Sequence, residues 1–207
     1  MKILNLYAGI GGNRKLWSDK HEITSVEYDK NIAEAYKDRY PNDILVIGDA
    51  KQYLLDNYKN FDFIWISPPC QSHTRLITSV YLDDSHIPKY PDMTLYQIIS
   101  FLELYGKNIK WVVENVIPYY KPLIKPTVEI DRHLYWSNFN ISKIEIEKKY
   151  IIDKVTISTL KDFDLKKYPN IKNKRQVIRN QVDYEVGLHI LNCALDKIEF
   201  KQNTLFN

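Results

Sequence analysis

A run of bulky apolar residues that stops at two consecutive prolines constrains the fold more than any other part of the sequence. Residues 63–66 are Phe-Ile-Trp-Ile, which is typical of a strand covered on both faces in a parallel sheet. Pro68 and Pro69 end that strand, and Pro69 holds Pro68 in an extended conformation. Cys70 is therefore predicted to lie on a short rigid loop at the carboxyl end of the strand, where α/β sheets bind ligands.

The size and composition of the chain favour one α/β domain with at most a small appendage. The 207 residues are 44% hydrophobic and 27% charged, as in ordinary globular proteins. We find no apolar run long enough to cross a bilayer and no signal peptide, so a cytoplasmic location and no membrane partner are expected. Two cysteines and five histidines show neither a disulfide framework nor metal-ligand spacing, so no metal is predicted.

Positive charge is concentrated in one part of the chain. The basic segment (residues 143–179) contains eleven Lys or Arg and five Asp or Glu, whereas the whole chain nets only +3. Such a segment on a near-neutral body indicates a polyanion-binding surface. A solvated lysine-rich surface explains the same count equally well.

The order of apolar runs and turn residues predicts alternating strands and helices. Predicted strands cover residues 2–7, 23–27, 44–47, 63–66 and 110–114, and predicted helices cover 13–19, 31–40, the stretch after Lys51 and 94–105. A glycine-rich turn follows the first strand, as in nucleotide-binding units. Arg14 stands where the dinucleotide fingerprint has its third glycine, so a smaller nucleoside cofactor fits better than a dinucleotide.

Acidic residues end two of these strands. Glu27 is the last residue of the second strand, where a carboxylate accepts two hydrogen bonds from ribose hydroxyls. Asp49 follows the third strand, where it has two compatible roles: accepting from an exocyclic adenine amine and capping the next helix.

A carboxylate also ends the fifth strand, at Glu114. The fourth and fifth strands are neighbours in a doubly wound sheet, so Cys70 and Glu114 are expected to face one pocket. The long polar loop at residues 71–91 is expected to be a functional lid or a disordered segment.

The pattern changes beyond Pro118. Short strands are predicted at residues 133–136 and 141–146, then a loop-rich stretch at 148–174 and a basic turn at 175–180. Residues 184–195 predict an amphipathic helix whose core-facing side chains include Val186, Ile190, Leu191 and Leu195. Cys193 lies in that helix and is interpreted as structural.

Five of these motifs, taken in order, resemble the DNA cytosine-5 methyltransferase family. They are residues 7–12 (Tyr-Ala-Gly-Ile-Gly-Gly), Glu27, residues 48–50 (Gly-Asp-Ala), residues 68–71 (Pro-Pro-Cys-Gln) and residues 114–116 (Glu-Asn-Val). Arg132 falls where the family has a motif of one glutamine and two arginines, and residues 180–182 (Asn-Gln-Val) resemble its late asparagine-valine motif. The resemblance implies a Rossmann-like class I methyltransferase sheet with helices on both faces and a very small target-recognition region. The expected divisions are a catalytic domain at residues 1–137, a reduced target-recognition and DNA-contact segment at 138–174, and a return helix at 175–207.

The resemblance also implies S-adenosylmethionine as the cofactor and a set of residues around it. The implied cofactor contacts are Tyr7, Ala8, Gly9, Ile10, Gly11, Gly12, Glu27, Tyr28, Asp49, Ala50, Pro68, Asn180 and Val182. Cys70, as a thiolate favoured by nearby positive charge such as Arg132, is expected to add to carbon 6 of a flipped cytosine. Glu114 is expected to act in its protonated form at ring nitrogen 3. The sequence names no base for the carbon 5 proton.

Double-stranded DNA is the partner that the resemblance implies. The expected DNA contacts are Gln71, Thr74, Arg75, Lys166, Lys167, Lys172, Lys174 and Arg175. The short target-recognition segment suggests a compact enzyme of phage or mobile-element type, in restriction-modification or phage self-protection. Sequence recognition is then relaxed or shared with a partner protein, and otherwise the protein is expected to be a monomer. The alternatives are a transfer-RNA cytosine-5 methyltransferase, a catalytically inactive relative and, distantly, a nicotinamide-dependent dehydrogenase.

Overall fold

The computed structural model describes residues 1–75, 90–145, 159–160 and 163–197 of the chain. The strands are β1 (Lys2–Leu6), β2 (Glu22–Glu27), β3 (Ile44–Ile47), β4 (Phe63–Ile66), β5 (Lys110–Val116), β6 (Val128–Ile130), β7 (His133–Ser137), β8 (Thr159–Leu160) and β9 (Phe163–Asp164). The α-helices are α1 (Lys30–Arg39), α2 (Ala50–Asn57), α3 (Thr94–Tyr105), α4 (Lys174–Arg179) and α5 (Tyr184–Ala194). Two 3₁₀ turns cover Tyr58–Asn60 and Leu165–Lys167. No helix in these ranges is long and apolar enough to cross a membrane.

Seven strands form one sheet in the order β3-β2-β1-β4-β5-β7-β6, and β8 and β9 pair separately. The first five strands are parallel, whereas β7 runs antiparallel to both β5 and β6. Helix α5 packs on one face, and α2 and α3 pack on the other. This is the Rossmann-like sheet with helices on both faces that the sequence predicts. The carboxyl ends of β1, β4 and β5 lie side by side at one edge, since Leu6 pairs with Ile66 and Ile66 pairs with Val113.

Strand β4 lies at the centre of this sheet and is fully buried, as predicted. Its side chains alternate between the two faces, so Phe63 and Trp65 enter one hydrophobic core and Ile64 and Ile66 enter the other. Trp17 packs 5.9 Å from Trp65, measured between ring centroids, and its indole N–H donates to the carbonyl of Gly187 in α5. The apolar run thus joins the sheet to the C-terminal helix.

The prediction of a helix at residues 13–19 is wrong, because this stretch forms consecutive turns. The amides of Lys15 and Trp17 donate to carbonyls three residues earlier rather than four. The buried Arg14 side chain donates to the Trp17 carbonyl at 2.8 Å and to both carboxylate oxygens of Asp43. Arg14 therefore fixes the tight turns through bonds that sequence periodicity does not reveal.

Three further details beyond Pro118 differ from the prediction. Residues 141–145 form no strand, since both neighbours of β7 in the sheet, β5 and β6, are already in place; residue 146 lies outside the described ranges. Strand β6 was not predicted, because three residues carry too little periodicity. The basic turn predicted at residues 175–180 is the helix α4, and the Asn173 side chain caps its start by accepting from the amide of Gln176.

Candidate active site

A cavity of about 1560 Å³ opens at the carboxyl edge of the sheet. Its walls come from the ends of β1, β2, β4 and β5, the start of α2 and residues 170–182. Cys70 and Glu114 both line it, and so does every predicted cofactor contact except Gly11. The parallel register gathers most of these side chains, because they lie at or just after strand ends at the same sheet edge. Asn180 and Val182 come from the segment between α4 and α5.

Cys70 sits half-buried on the loop after the two prolines. Its carbonyl accepts from the amides of His73 and Thr74, and its Sγ lies 3.9 Å from Oδ1 of Asn180. Burial raises the pKa of the Cys70 thiol, and the charge of Glu114 raises it further, against the opposing influence of Arg132. The prediction that the site favours the thiolate is therefore wrong for the protein without substrate.

Glu114 is buried at the end of β5, with 5% of its surface exposed. Burial raises the pKa of its carboxyl group to about 7, although a hydrogen bond from Ser67 and the charge of Arg132 favour the ionised form. The Trp65 indole donates to Ser67 Oγ at 2.8 Å, so the Ser67 hydroxyl hydrogen is directed to Glu114. Glu114 is therefore protonated in a large fraction of molecules near neutral pH. The role expected from the sequence, proton donation to ring nitrogen 3, requires this form.

Asn115 fastens the Cys70 loop to the end of β5. Its side-chain amide donates to the carbonyl of Pro68 at 3.0 Å, and its side-chain oxygen accepts from the amide of Val116. Asn115 is part of the motif at residues 114–116, but the sequence did not predict its role. The structure assigns it the task of holding Cys70 and Glu114 in one arrangement.

The glycine-rich turn is built for close approach at both ends. Gly9 has φ +55°, and a Cβ added there would meet nothing within 4 Å, so its backbone borders open space. A Cβ on Gly12 would lie 2.8 Å from the carbonyl of Val182. Gly9 therefore leaves room for a ligand, whereas Gly12 brings the late asparagine-valine motif against the turn.

Glu27 and Asp49 keep acceptor capacity for a ligand while they organise the backbone. The Glu27 oxygens accept from the amides of Gly9 and Asp29, each at 2.9 Å. Oδ1 of Asp49 accepts from two amides at the start of α2, which confirms the capping role. A carboxylate oxygen has two lone pairs, so both residues fit hydroxyl or amine donors of a nucleoside. Tyr28 adds an exposed aromatic ring to the same part of the cavity.

Replacing Glu27 with alanine is expected to weaken S-adenosylmethionine binding by about 1–3 kcal/mol, the range for losing hydrogen bonds to a charged group. Isothermal calorimetry measures this directly. Glu22→Ala is the matched control, since Glu22 lies exposed at the opposite end of β2. Equal affinities of the two variants would remove Glu27 from the cofactor site.

The described part of the basic segment does more than carry charge. Leu165, Tyr168 and Ile171 form a buried cluster with Ile10 and Ala35, and the Tyr168 hydroxyl donates to Asp38 at 2.7 Å. Residues 170–173 then form one wall of the cavity. This stretch of the predicted target-recognition segment therefore packs against α1 and the glycine-rich turn.

The predicted DNA contacts fall into two groups. The first group lines the cavity and consists of Gln71, Thr74, Arg75, Lys172 and Arg175. The second group, Lys166, Lys167 and Lys174, is absent from the cavity lining, and the first two are exposed. Most of the loop at residues 71–91, predicted to be a lid or a disordered segment, lies outside the described residues.

Arg132 lines the cavity but lies exposed, and its Nη2 donates to the carbonyl of Arg179 at 3.2 Å. The buried His133 beside it lies 3.4 Å from Glu114, measured from Nε2 to Oε1, and the sequence did not predict this contact. The sequence does contain an indication of this contact, since His133 is adjacent to Arg132 at the start of β7. The family motif at this position contains arginines, so only Arg132 was predicted.

The sheet order and the cavity at its carboxyl edge are those of the Rossmann-like methyltransferase fold. The family model for C-5 cytosine-specific DNA methylases matches residues 1–75. Over these residues the chain is similar to the C-5 cytosine methyltransferase family. The Gly9 turn, Glu27 and Asp49 suit S-adenosylmethionine in shape and hydrogen bonding.

Similar proteins are named for transfer-RNA modification. A tRNA (cytosine(38)-C(5))-methyltransferase of Spodoptera frugiperda is 36% identical over 90 residues, which are 41% of this chain and 26% of that protein. The Mus musculus protein of the same name is 29% identical over 122 residues, which are 56% of this chain and 28% of that protein. The chain thus spans about a quarter of the length of these curated relatives. A crystal structure of a Spodoptera frugiperda DNMT2 mutant covers 56% of this chain and 35% of its own, at 32% identity and a TM-score of 0.39.

Proposed function

We propose that the chain methylates carbon 5 of a cytosine that has been flipped out of DNA. One observation carries this proposal: a thiol and a protonatable carboxyl group line the same cavity as the cofactor residues. A planar base between Cys70 and Glu114 would meet a nucleophile and a proton donor together.

Cys70 would act by adding its sulfur to carbon 6 of the ring. Its thiol pKa is raised partly by the charge of Glu114, so protonation of Glu114 makes the thiolate easier to form. The active combination is therefore a Cys70 thiolate beside a protonated Glu114, whose proton passes to ring nitrogen 3 as sulfur adds. Carbon 5 then becomes nucleophilic.

The cofactor supplies an electrophilic methyl group when it is bound. Glu27 and Asp49 would hold its ribose and adenine, and Gly9 and Asn180 lie where its methionine part would fit. Asn115 keeps the Cys70 loop in place during the reaction, since it bonds the Pro68 carbonyl.

DNA is proposed as the substrate because the matching family model is that of DNA methylases. Transfer RNA is the second candidate, because the similar curated proteins are named tRNA (cytosine(38)-C(5))-methyltransferases. Competition between tritium-labelling reactions on DNA and on transfer RNA separates the two. Bisulfite sequencing of DNA from a host that expresses the chain tests the DNA proposal and reveals the site. Methylation of transfer RNA alone would overturn it.

Positive side chains around the cavity mouth are proposed to contact phosphates. Lys172→Ala with Arg175→Ala is expected to weaken binding on all sequences alike and to lower the salt slope by about two, one for each lost phosphate contact. Fluorescence anisotropy at several salt concentrations measures the slope.

The exposed Lys166 and Lys167 provide a second double variant for the same measurement. A lowered slope there would extend the phosphate surface along the basic segment. If neither pair changes the slope, the segment is only a solvated surface. We also propose that the protein acts as a monomer, unless a partner protein confers sequence specificity. Light scattering with and without DNA measures the mass of the protein in solution and so tests the monomer.

A further inference from the structure

Glu114 has a buried neighbour on the adjacent strand. In the antiparallel pairing of β5 with β7, Glu114 lies opposite Tyr135 and Val116 lies opposite His133. Opposite residues share a face, and so do residues two apart, so Glu114 and His133 are diagonal neighbours on one face. His133 Nε2 is 3.4 Å from Glu114 Oε1, and both side chains line the cavity.

The surroundings leave the imidazole neutral and the carboxyl group protonated. Burial and, to a smaller extent, the charge of Arg132 lower the pKa of His133 to about 4, while Asp131 opposes the change. Burial acts oppositely on the acid, whose pKa rises to about 7. The titratable or charged groups that interact electrostatically with Glu114 or His133 are Cys70, Asp131, Arg132 and Tyr135. Asp183 interacts with Tyr135 in turn. Between about pH 4 and pH 7 the pair therefore carries one proton, on Glu114.

A neutral partner suits a proton donor better than a cation. A cation 3.4 Å from the carboxyl group would favour the carboxylate and so remove the proton that the reaction needs. A neutral imidazole has one N–H, which can donate to Oε1 and fix the rotation of the carboxyl group. The other oxygen is then left to carry the acidic hydrogen.

We infer that His133 is the positioning residue of Glu114: its Nε2–H holds Oε1 and turns the protonated Oε2 toward the base. When Oε2 gives up its proton, the O–H bond breaks, a bond from nitrogen 3 to hydrogen forms, and the electron pair stays on the carboxylate. The same Nε2–H then stabilises the new negative charge. This inference rests on the proposed function for its role, but not for the contact itself.

Three substitutions of His133 test the inference. His133→Gln keeps a neutral N–H donor, His133→Leu removes the donor, and His133→Lys introduces a cation. Carbon-13 NMR of glutamate-labelled protein follows the Glu114 titration in each without any substrate, and Glu114→Gln assigns the signal. We expect His133→Gln to keep the wild-type midpoint, His133→Leu to raise it, and His133→Lys to lower it by about one pH unit or more.

Kinetics provide the second readout. His133→Leu should lower kcat by about 10- to 100-fold, as for the loss of a hydrogen bond to a charged group, with unchanged affinity for S-adenosylmethionine. In His133→Lys the alkaline limb of the pH–rate profile should move to lower pH with the NMR midpoint. The inference would be wrong if the His133→Leu protein folded, bound cofactor and kept the wild-type kcat and the wild-type midpoint of the Glu114 titration. His133 would then only pack in the core.

The two proposals fail in different ways. If the wild-type protein methylates no nucleic acid but the midpoint moves as expected, the proposed function is wrong and the hold of His133 on Glu114 stands. If the protein methylates cytosine but no substitution moves the midpoint, the inference about His133 is wrong and the function stands.

Discussion

Cys70→Ala is expected to lose methyl transfer almost completely, by about four orders of magnitude or more, as for other enzymes that lose their nucleophile. Without sulfur at carbon 6, carbon 5 does not become nucleophilic enough to accept a methyl group. The measurement is incorporation of tritiated methyl groups into DNA and into transfer RNA. The variant should still bind S-adenosylmethionine, because Cys70 lies on the loop after β4 and the predicted ribose and adenine contacts lie after β2 and β3.

A covalent complex provides the positive form of the same test. With 5-fluorocytosine in the substrate, fluorine replaces the carbon 5 hydrogen and cannot be abstracted as a proton, so the wild-type enzyme should stay attached after methyl transfer. Cys193→Ala is the matched control, since Cys193 is 1% exposed within α5. It should form the adduct, and Cys70→Ala should not. Mass spectrometry that mapped the adduct to another residue, or methylation by Cys70→Ala, would disprove this role.

Glu114→Gln is expected to lower kcat by a factor on the order of 100 or more, because an amide cannot give a proton to ring nitrogen 3. Cofactor affinity should stay unchanged. Activity of the wild-type enzyme should fall as pH rises past about 7, where Glu114 loses its proton. A pH–rate profile measured with saturating substrate shows whether this limb exists and whether the variant lacks it.

The same substitution should have the opposite effect on stability. The carboxyl pKa of Glu114 is about 7 in the folded protein and 4.5 for an ordinary glutamate. A raised folded-state pKa means that its stabilising contribution is complete below pH 4.5 and is lost as pH rises through 7. Glutamine has no such loss, so from pH 4 to pH 8 the variant should gain on the order of 3 kcal/mol relative to wild type, at about 1.4 kcal/mol per pH unit. Urea unfolding at both pH values measures this gain in the free energy of unfolding. If the difference between variant and wild type were the same at both pH values, Glu114 would not be a buried acid with a raised pKa.

The sequence determined the sheet and the position of its chemistry. The run at residues 63–66 is long, bulky and bounded by prolines, and such a run has few alternatives to a buried strand. Because strand ends gather at one edge of a parallel sheet, local motifs after β1, β2, β3, β4 and β5 sufficed to place Glu27, Asp49, Cys70 and Glu114 around one cavity. These features depend on neighbouring residues in the chain, which the sequence shows directly.

Tertiary structure decided what depends on distant partners. The turn at Arg14 depends on Asp43, and the wall at Ile171 depends on packing against Ile10, so periodicity predicted neither. The protonation of Glu114 and of Cys70 follows from burial, which lowers the local capacity to stabilise charge and is not visible in the sequence. His133 became a neighbour of Glu114 only because β7 turns back along β5, and an antiparallel register joins residues that lie far apart in the chain.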